Sequence, residues 1–201
     1  MKVGVVGEIH KSGFEIFEKN NIEYFVTENK EENQLKKELK DVDGIVVRTV
    51  KLNKNILSNA KNLKVVARHG VGYDNVDLKT LKKNNIKLLI TATANAVSVA
   101  EHVMYMILSL TKGLSRYDEM VRSGQFRNSV RGIRTFELLN KEILIMGFGR
   151  IGKILIKRCL GFEMKPIVYD PFVDKELIEK HGGIKVENLD FGLKTADFVS
   201  I

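Results

Sequence analysis

Nowhere do these 201 residues approach the roughly 18 to 20 uninterrupted apolar positions of a membrane span. The opening "MKVGVVGEIH" lacks the charged flank and small-residue cleavage site of a secretory signal, and it reads as a first strand. A cytoplasmic protein is the expectation. With one cysteine, Cys159, a disulfide framework is excluded. Its place in the helical run "ILIKRCLGF" reads as a small buried thiol rather than a nucleophile. Metal-ligand spacing is absent, so no metal site is expected. No Pro-rich or Gly/Ser-rich linker and no repeat at the 20 to 50 residue scale is present.

An excess of one charge sign is present, at +8 overall. A positive field suits nucleic acid or a small anionic ligand. Its distribution argues against the first. The lysines of "KEENQLKKELKD" are mixed with acidic residues and those of "LKTLKKNNIK" with Asn and Leu, as on solvated helix faces, without aromatic interleaving. At 44% apolar residues the chain can build a core, as one large domain or two small ones.

Short apolar runs alternate with amphipathic ones. "KVGVV", "IEYFV", "GIVV", "LKVVA" and "IKLLI" read as strands separated by the helical "FEIFEKN", "ENQLKKELK", "NKNILSNA" and "DLKTLKKN". Strict alternation predicts a parallel sheet covered on both faces. After Leu89 comes a long helical pattern, predicted from Ser98 toward Arg122, with Ser98 and Glu101 spaced as a capping box. A polar, Arg-bearing loop, "QFRNSVRGIRTFELLNK", leads into a second alternation: "EILIMG", "RIGKILIKRCLGF", "KPIVYD", "KELIEKHG", "IKVE" and "ADFVSI". The predicted fold class is α/β with two domains, residues 1–94 and 95–201, meeting near residues 91–97.

The second alternation opens with Gly147, Gly149 and Gly152 in G-x-G-x-x-G between a strand and a helix. The three suit a turn that a Cβ would obstruct, backbone access to a pyrophosphate, and close helix-to-strand packing. Asp170 closes the next strand 18 residues after Gly152, where a carboxylate can accept from ribose hydroxyls and repel a 2′-phosphate. Dinucleotide binding with NAD preferred over NADP is the expectation. Arg150 lies within reach of a phosphate and reads as facing the pyrophosphate.

In "VVARHGVGYDNVD", Gly70 and Gly72 at a strand end let consecutive N–H groups face one point, a nest for a carboxylate. Spacing alone does not separate this from an unliganded turn. Arg48 and Thr49 end another strand at a carboxyl edge. Asp74 and Asp77 are expected to cap the next helix. His10, His102 and His181 look structural or exposed; His69, beside the nest, is the one histidine to test for a chemical role, against the plainer reading of helix or turn packing.

"RHGVGYDNVD", "NAVSVAEH" and "MGFGRIGK...GFEMKPIVYDPF" stand in the order and spacing of the D-isomer-specific 2-hydroxyacid dehydrogenases. Nearly the whole chain resembles that family, most closely its D-3-phosphoglycerate dehydrogenase branch. The resemblance implies a flavodoxin-like substrate domain followed by an incomplete Rossmann NAD-binding domain. It implies that the Gly70-Val71-Gly72 backbone binds the substrate carboxylate, that Arg48, Thr49 and Asn95 line the substrate side, and that Arg68 contacts a phosphate. Val99 would touch the nicotinamide end, the Arg150 and Ile151 amides would hold pyrophosphate, and the helix from Ser98 would pack against a second subunit of a homodimer. Three departures are visible: the family's Asn-Thr-Pro before the helix reads "ITA", Asn140 replaces a common Gly, and "RNSVRGIRTFEL" is longer than usual.

The family's catalytic Arg, Glu and His lie downstream of the strand equivalent to "ADFVSI". The chain is therefore expected to be a fragment, inactive by itself. The expected activity of the whole is NAD-dependent interconversion of a D-2-hydroxy acid and its 2-oxo acid, with 3-phosphoglycerate as substrate in serine biosynthesis. Hydroxypyruvate or glyoxylate reduction is the alternative within the family, and a non-catalytic NAD-sensing or oligomerisation protein the alternative outside it.

Overall fold

A computed structural model describes residues 1–129 and 134–201, so the middle of the Arg-bearing loop lies outside the described residues. The chain divides into two compact units, Met1–Ala94 and Asn95–Ile201.

The first unit holds β1 (Lys2–Val6), α1 (Lys11–Lys19), β2 (Glu23–Thr27), α2 (Glu32–Glu38), β3 (Gly44–Val47), α3 (Lys54–Asn59), β4 (Val65–Arg68), α4 (Leu78–Lys83) and β5 (Lys87–Ile90). All pairings are parallel, in the order β2-β1-β3-β4-β5, the flavodoxin-like arrangement. Leu35 and Leu39 at the end of α2, Ile56 and Leu57 of α3 and Leu81 of α4 meet Ile45, Val47 and Val66 on one sheet face. The other face departs from the expected full cover. There α1 buries none of its residues, and the register-paired row Val46, Ala67 and Leu89 floors an apolar groove of about 410 Å³.

The second unit holds α5 (Ala96–Lys112), α6 (Leu114–Arg122), α7 (Phe126–Ser129), β6 (Glu142–Met146), α8 (Arg150–Gly161), β7 (Lys165–Tyr169), α9 (Lys175–Lys180), β8 (Ile184–Lys185), α10 (Leu189–Thr195) and β9 (Phe198–Ser200). Its parallel sheet runs β8-β7-β6-β9, which matches strands 3-2-1-4 of a Rossmann fold. Ala100, Met104 and Ile107 of α5 pack with Leu155, Ile156 and Cys159 of α8 over Ile143 and Ile145. Leu144, Ile167 and Val186, with Leu189 of α10, cover the opposite face.

The long helix differs from its predicted form at both ends. Its first turn starts at Ala96, where Asn95 caps without a side-chain bond and the Val99 N–H donates to the Asn95 carbonyl at 2.9 Å. Ser98 is thus inside the helix, and no capping box forms. Burial of Ala96 and Ala100, one turn apart, draws the helix back past the serine. Glu101 instead bonds Arg158 of α8 at 2.7 Å. The helix then stops at Gly113, which is left-handed at φ 61° and ψ 36°, and restarts as α6. The returning chain fixes this break: the Phe136 N–H donates to the Thr111 carbonyl at 3.0 Å, and Lys112 Nζ donates to the Phe136 carbonyl at 2.7 Å. Helix α7, within the expected loop, carries no periodic sequence signal. Asn140 is left-handed at φ 60°, a conformation Asn tolerates, so the Gly expected there from the family resemblance is not required.

Both sheets tie their first strand down by the same device. Asp43 accepts from Lys64 Nζ at 2.7 Å and the Lys2 N–H at 2.9 Å; Asp197 accepts from Lys141 Nζ at 2.8 Å and the Glu142 N–H at 2.9 Å. The lysine bond first, and then the backbone bond, hold each carboxyl below its ordinary value. A carboxyl lowered in the folded state adds stability above its unfolded pKa of about 4, and that stability is lost as pH falls through the folded value. Thermal melts followed by circular dichroism should show a flat midpoint from pH 7 to 5 and a fall below about pH 4. The double variant Asp43→Asn/Asp197→Asn should flatten that fall; a midpoint that rises on acidification would refute the attribution.

Candidate functional site

In the second unit, the carboxyl ends of β6 and β7 frame the glycine turn. Gly147 sits at φ 102°, a conformation that a Cβ disfavours, and its N–H donates to the Tyr169 carbonyl at 2.9 Å. A Cβ on Gly152 would overlap the Gly147 carbonyl oxygen, which is the close helix-to-strand approach the spacing predicts. At Gly149, the N-cap of α8, a Cβ would meet nothing within 4 Å. The turn is thus open at Gly149, and the first amides of α8 stand at that opening. Such a cradle fits an anionic pyrophosphate by backbone N–H groups and the helix dipole.

Asp170 follows β7, and its carboxylate is already engaged. Its Oδ2 accepts from the Phe148 N–H at 2.7 Å and its Oδ1 from the Phe172 N–H at 2.9 Å. The ionised carboxylate has further lone pairs for ribose hydroxyls. Arg150 and the partly exposed Ile151 begin α8, while Asn95 and the half-buried Val99 lie on the first turns of α5 in the same unit.

In the first unit, the predicted substrate residues gather at the carboxyl edge of the sheet, where Arg48 and Arg68 line different cavities. Arg48 and Thr49 follow β3 and line a polar cavity of about 370 Å³ with Gly7, Glu8, Glu28 and Lys30. Sequence reading passed over Lys30 as one surface lysine among many; only the convergence of β1, β2 and β3 ends places it beside Arg48. Arg68, the last residue of β4, and His69 line the apolar groove instead, with Gly13, Ile16 and Phe17 of α1. There Arg68 Nη1 donates to the His69 carbonyl at 3.3 Å, and its Nε is buried with no partner among the described residues.

The Gly70 N–H donates to the Arg68 carbonyl at 2.9 Å, so the proposed nest reduces to the Val71 and Gly72 amides. A Cβ at Gly70 would overlap the Arg68 guanidinium. Asn75 fastens this edge: its Nδ2 donates to the carbonyls of Val50 at 2.8 Å and Arg48 at 3.5 Å. Asp77 caps α4 as expected, accepting from the Thr80 N–H at 2.7 Å. Asp74 does not cap: helix α4 begins at Leu78, too far along the chain for it to be the residue before the first turn.

The remaining candidates are structural. His10 caps α1 by accepting from the Ser12 N–H, His102 stacks on Tyr105, and His181 bonds the Leu177 carbonyl with its ring near-perpendicular to that of Phe148. Cys159 is fully buried with Sγ 3.9 Å from Met104 Sδ, and desolvation pushes its pKa up to about 12. The folded chain should therefore leave a disulfide reagent such as DTNB unreacted at pH 8 and release one thiol in denaturant. Prompt reaction of the folded protein would show the thiol to be accessible. Among the described residues no cluster of three His, Cys, Asp or Glu side chains could hold a metal ion, and no helix is long and apolar enough to cross a membrane.

Residues 3–197 match the profile of the D-isomer specific 2-hydroxyacid dehydrogenase catalytic domain. The chain belongs to this family. D-3-phosphoglycerate dehydrogenase of Archaeoglobus fulgidus is 32% identical over 203 residues, covering 100% of this chain and 38% of that protein. Hydroxypyruvate reductase of Thermotoga maritima is 35% identical over 176 residues, covering 87% of this chain and 56% of that one. Among solved structures, D-lactate dehydrogenase of Aquifex aeolicus, complexed with NAD and lactic acid, superposes with a TM-score of 0.83 at 27% identity over 99% of this chain and 59% of that chain. The chain thus spans about two fifths to three fifths of these relatives' lengths. Names among members of the family differ in substrate, which makes the family common ground and the substrate a separate question.

Proposed function

We propose that the chain forms the substrate-binding unit and part of the NAD-binding unit of a D-2-hydroxyacid dehydrogenase acting on 3-phosphoglycerate. The observation carrying this reading is the glycine turn of the second unit, open at Gly149 and closed on Asp170. NAD, when bound, supplies the nicotinamide carbon that exchanges a hydride with C2 of the acid. The amides of Arg150 and Ile151 hold the pyrophosphate, Asp170 accepts from the adenosine ribose, and Val99 stands at the nicotinamide end. In the first unit the Val71 and Gly72 amides receive the substrate carboxylate. Arg48 and Lys30 share their cavity with the carboxylates of Glu8 and Glu28, so a second anionic group there would have to engage both cations and the Thr49 hydroxyl in place of those acids. Asn95 borders the substrate, and Arg68 is a phosphate contact only if its side chain leaves the apolar groove.

Support for 3-phosphoglycerate comes from a phosphoglycerate dehydrogenase that aligns with the whole chain. Hydroxypyruvate reduction is the second reading, favoured by the higher identity of the Thermotoga maritima enzyme. A homodimer through α5 and α6 is supported by their exposed Val97, Tyr105, Leu110, Leu114 and Val121.

Calorimetric titration is expected to give an NAD affinity at least about tenfold above that for NADP, because the Asp170 charge opposes a 2′-phosphate. Equal affinities would overturn the cofactor assignment. Titration of 3-phosphoglycerate against hydroxypyruvate and glyoxylate then separates the two substrate readings.

A further inference from the structure

Resting on the NAD reading, we infer that Asp170 is a positioning residue for the pyrophosphate cradle, fixing the glycine turn before any ribose arrives. Three fastenings hold that turn. The Gly147 N–H bonds the Tyr169 carbonyl at 2.9 Å. The Phe148 ring is buried, with the His181 ring near-perpendicular to it at 5.3 Å between centroids and Lys153 Nζ over its face at 5.3 Å. Between ring and glycine, the Phe148 N–H is held by Asp170 Oδ2 at 2.7 Å, while Oδ1 holds the exposed Phe172 at 2.9 Å.

A peptide unit with its side chain buried and its N–H directed at a carboxylate cannot rotate without breaking one of the two. The peptide plane of Phe148 sets the direction of the next amides, those of Gly149, Arg150 and Ile151. A buried N–H left without its acceptor is costly, and the bond is charge-assisted. Loss of the acceptor therefore frees the turn to rotate, and pyrophosphate contacts weaken although Asp170 touches no phosphate. Variants of Asp170 meant only to admit a 2′-phosphate would loosen the grip on both dinucleotides.

The inference is tested by comparing Asp170→Ala with Asp170→Asn, two variants of equal charge that differ in the acceptor. Charge alone is a confounding effect, since its removal favours any polyanion. Amide hydrogen exchange in the ligand-free chain reads the turn directly. In Asp170→Asn the single carboxamide oxygen should stay with the buried Phe148 N–H, so Phe148 remains protected and Phe172 exchanges faster. In Asp170→Ala, Phe148 should exchange at least about tenfold faster while Ile145 of β6 keeps its native protection.

Inorganic pyrophosphate, which carries no ribose, should bind Asp170→Ala about three- to tenfold more weakly than Asp170→Asn. Native exchange at Phe148 in both variants, or equal pyrophosphate affinity for the two, overturns the inference. So does faster exchange at Ile145 to the same degree, which would mean general loosening. If the unaltered chain binds neither NAD nor pyrophosphate, the NAD reading fails, and the exchange comparison by itself decides whether Asp170 anchors the turn.

Discussion

Gly152→Ala is expected to abolish measurable NAD binding and to lower the melting temperature, whereas Gly149→Ala in the same motif should lower affinity alone. The added Cβ at 152 overlaps the Gly147 carbonyl oxygen and lies 3.4 Å from both the Gly147 carbonyl carbon and Ile145 Cγ2. Two of these atoms are backbone, so no rotamer change relieves the overlap. Either α8 moves off β6 or the turn at Gly147 opens. Overpacking of this kind costs about 1 to 3 kcal/mol, and the displaced α8 amides no longer face one point. A loss of at least about a hundredfold in affinity, near 2.7 kcal/mol, is the expected calorimetric result. At Gly149 the backbone is at φ −78° and the Cβ meets nothing, so the fold tolerates Ala while the methyl group narrows the opening. Should Gly149→Ala bind NAD as the parent does, the pyrophosphate has been placed on the wrong side of the turn.

The second large effect is an absence of turnover. Residues 1–201 are expected to give no NADH from D-3-phosphoglycerate above the uncatalysed rate, because none of the four histidines is arranged as a general base. A base that removes the hydroxyl proton needs an imidazole held by an orienting group and open to substrate. His10 is spent on a helix cap, His102 on a ring stack and His181 on the Leu177 carbonyl and the Phe148 ring. His69 is exposed, and no carboxylate bonds its ring among the described residues. Cys159 is buried, with a thiol that stays protonated. Acid/base catalysis is typically worth about 10² to 10⁴ in rate, and electrostatic clamping a further comparable factor. The assay is NADH absorbance with D-3-phosphoglycerate and NAD, alongside a binding titration showing that the cofactor site is formed. Turnover that disappears in His69→Ala would reveal a catalytic role for that exposed ring.

Much of this was legible from local pattern. The alternation of period-2 and period-3.6 apolar runs determined which segments become strands and helices, because those periods fix which side chains can share a buried face. G-x-G-x-x-G between strand and helix, with Asp170 at the next strand end, determined the glycine turn, since its needs for a positive φ at Gly147 and a missing Cβ at Gly152 are properties of a few adjacent residues. Asp77 was readable as a cap for the same reason.

Tertiary structure decided what depends on partners distant in sequence. The long helix was predicted unbroken from Ser98; burial of Ala96 moved its start, and the docking of Phe136 on the turn before Gly113 fixed its end. Arg48 and Arg68 look equivalent in sequence, each closing a β-strand. Packing sets the first in a polar cavity with Lys30, where the ends of β1, β2 and β3 converge, and the second in an apolar groove lined by α1. Asp170 is the sharpest case. Its spacing announced a ribose acceptor, but only the pairing of β6 with β7 brings the Phe148 N–H within 2.7 Å of its carboxylate. A hydrogen bond across 22 residues has no local signature, since parallel strand register, and not the sequence between, sets the distance.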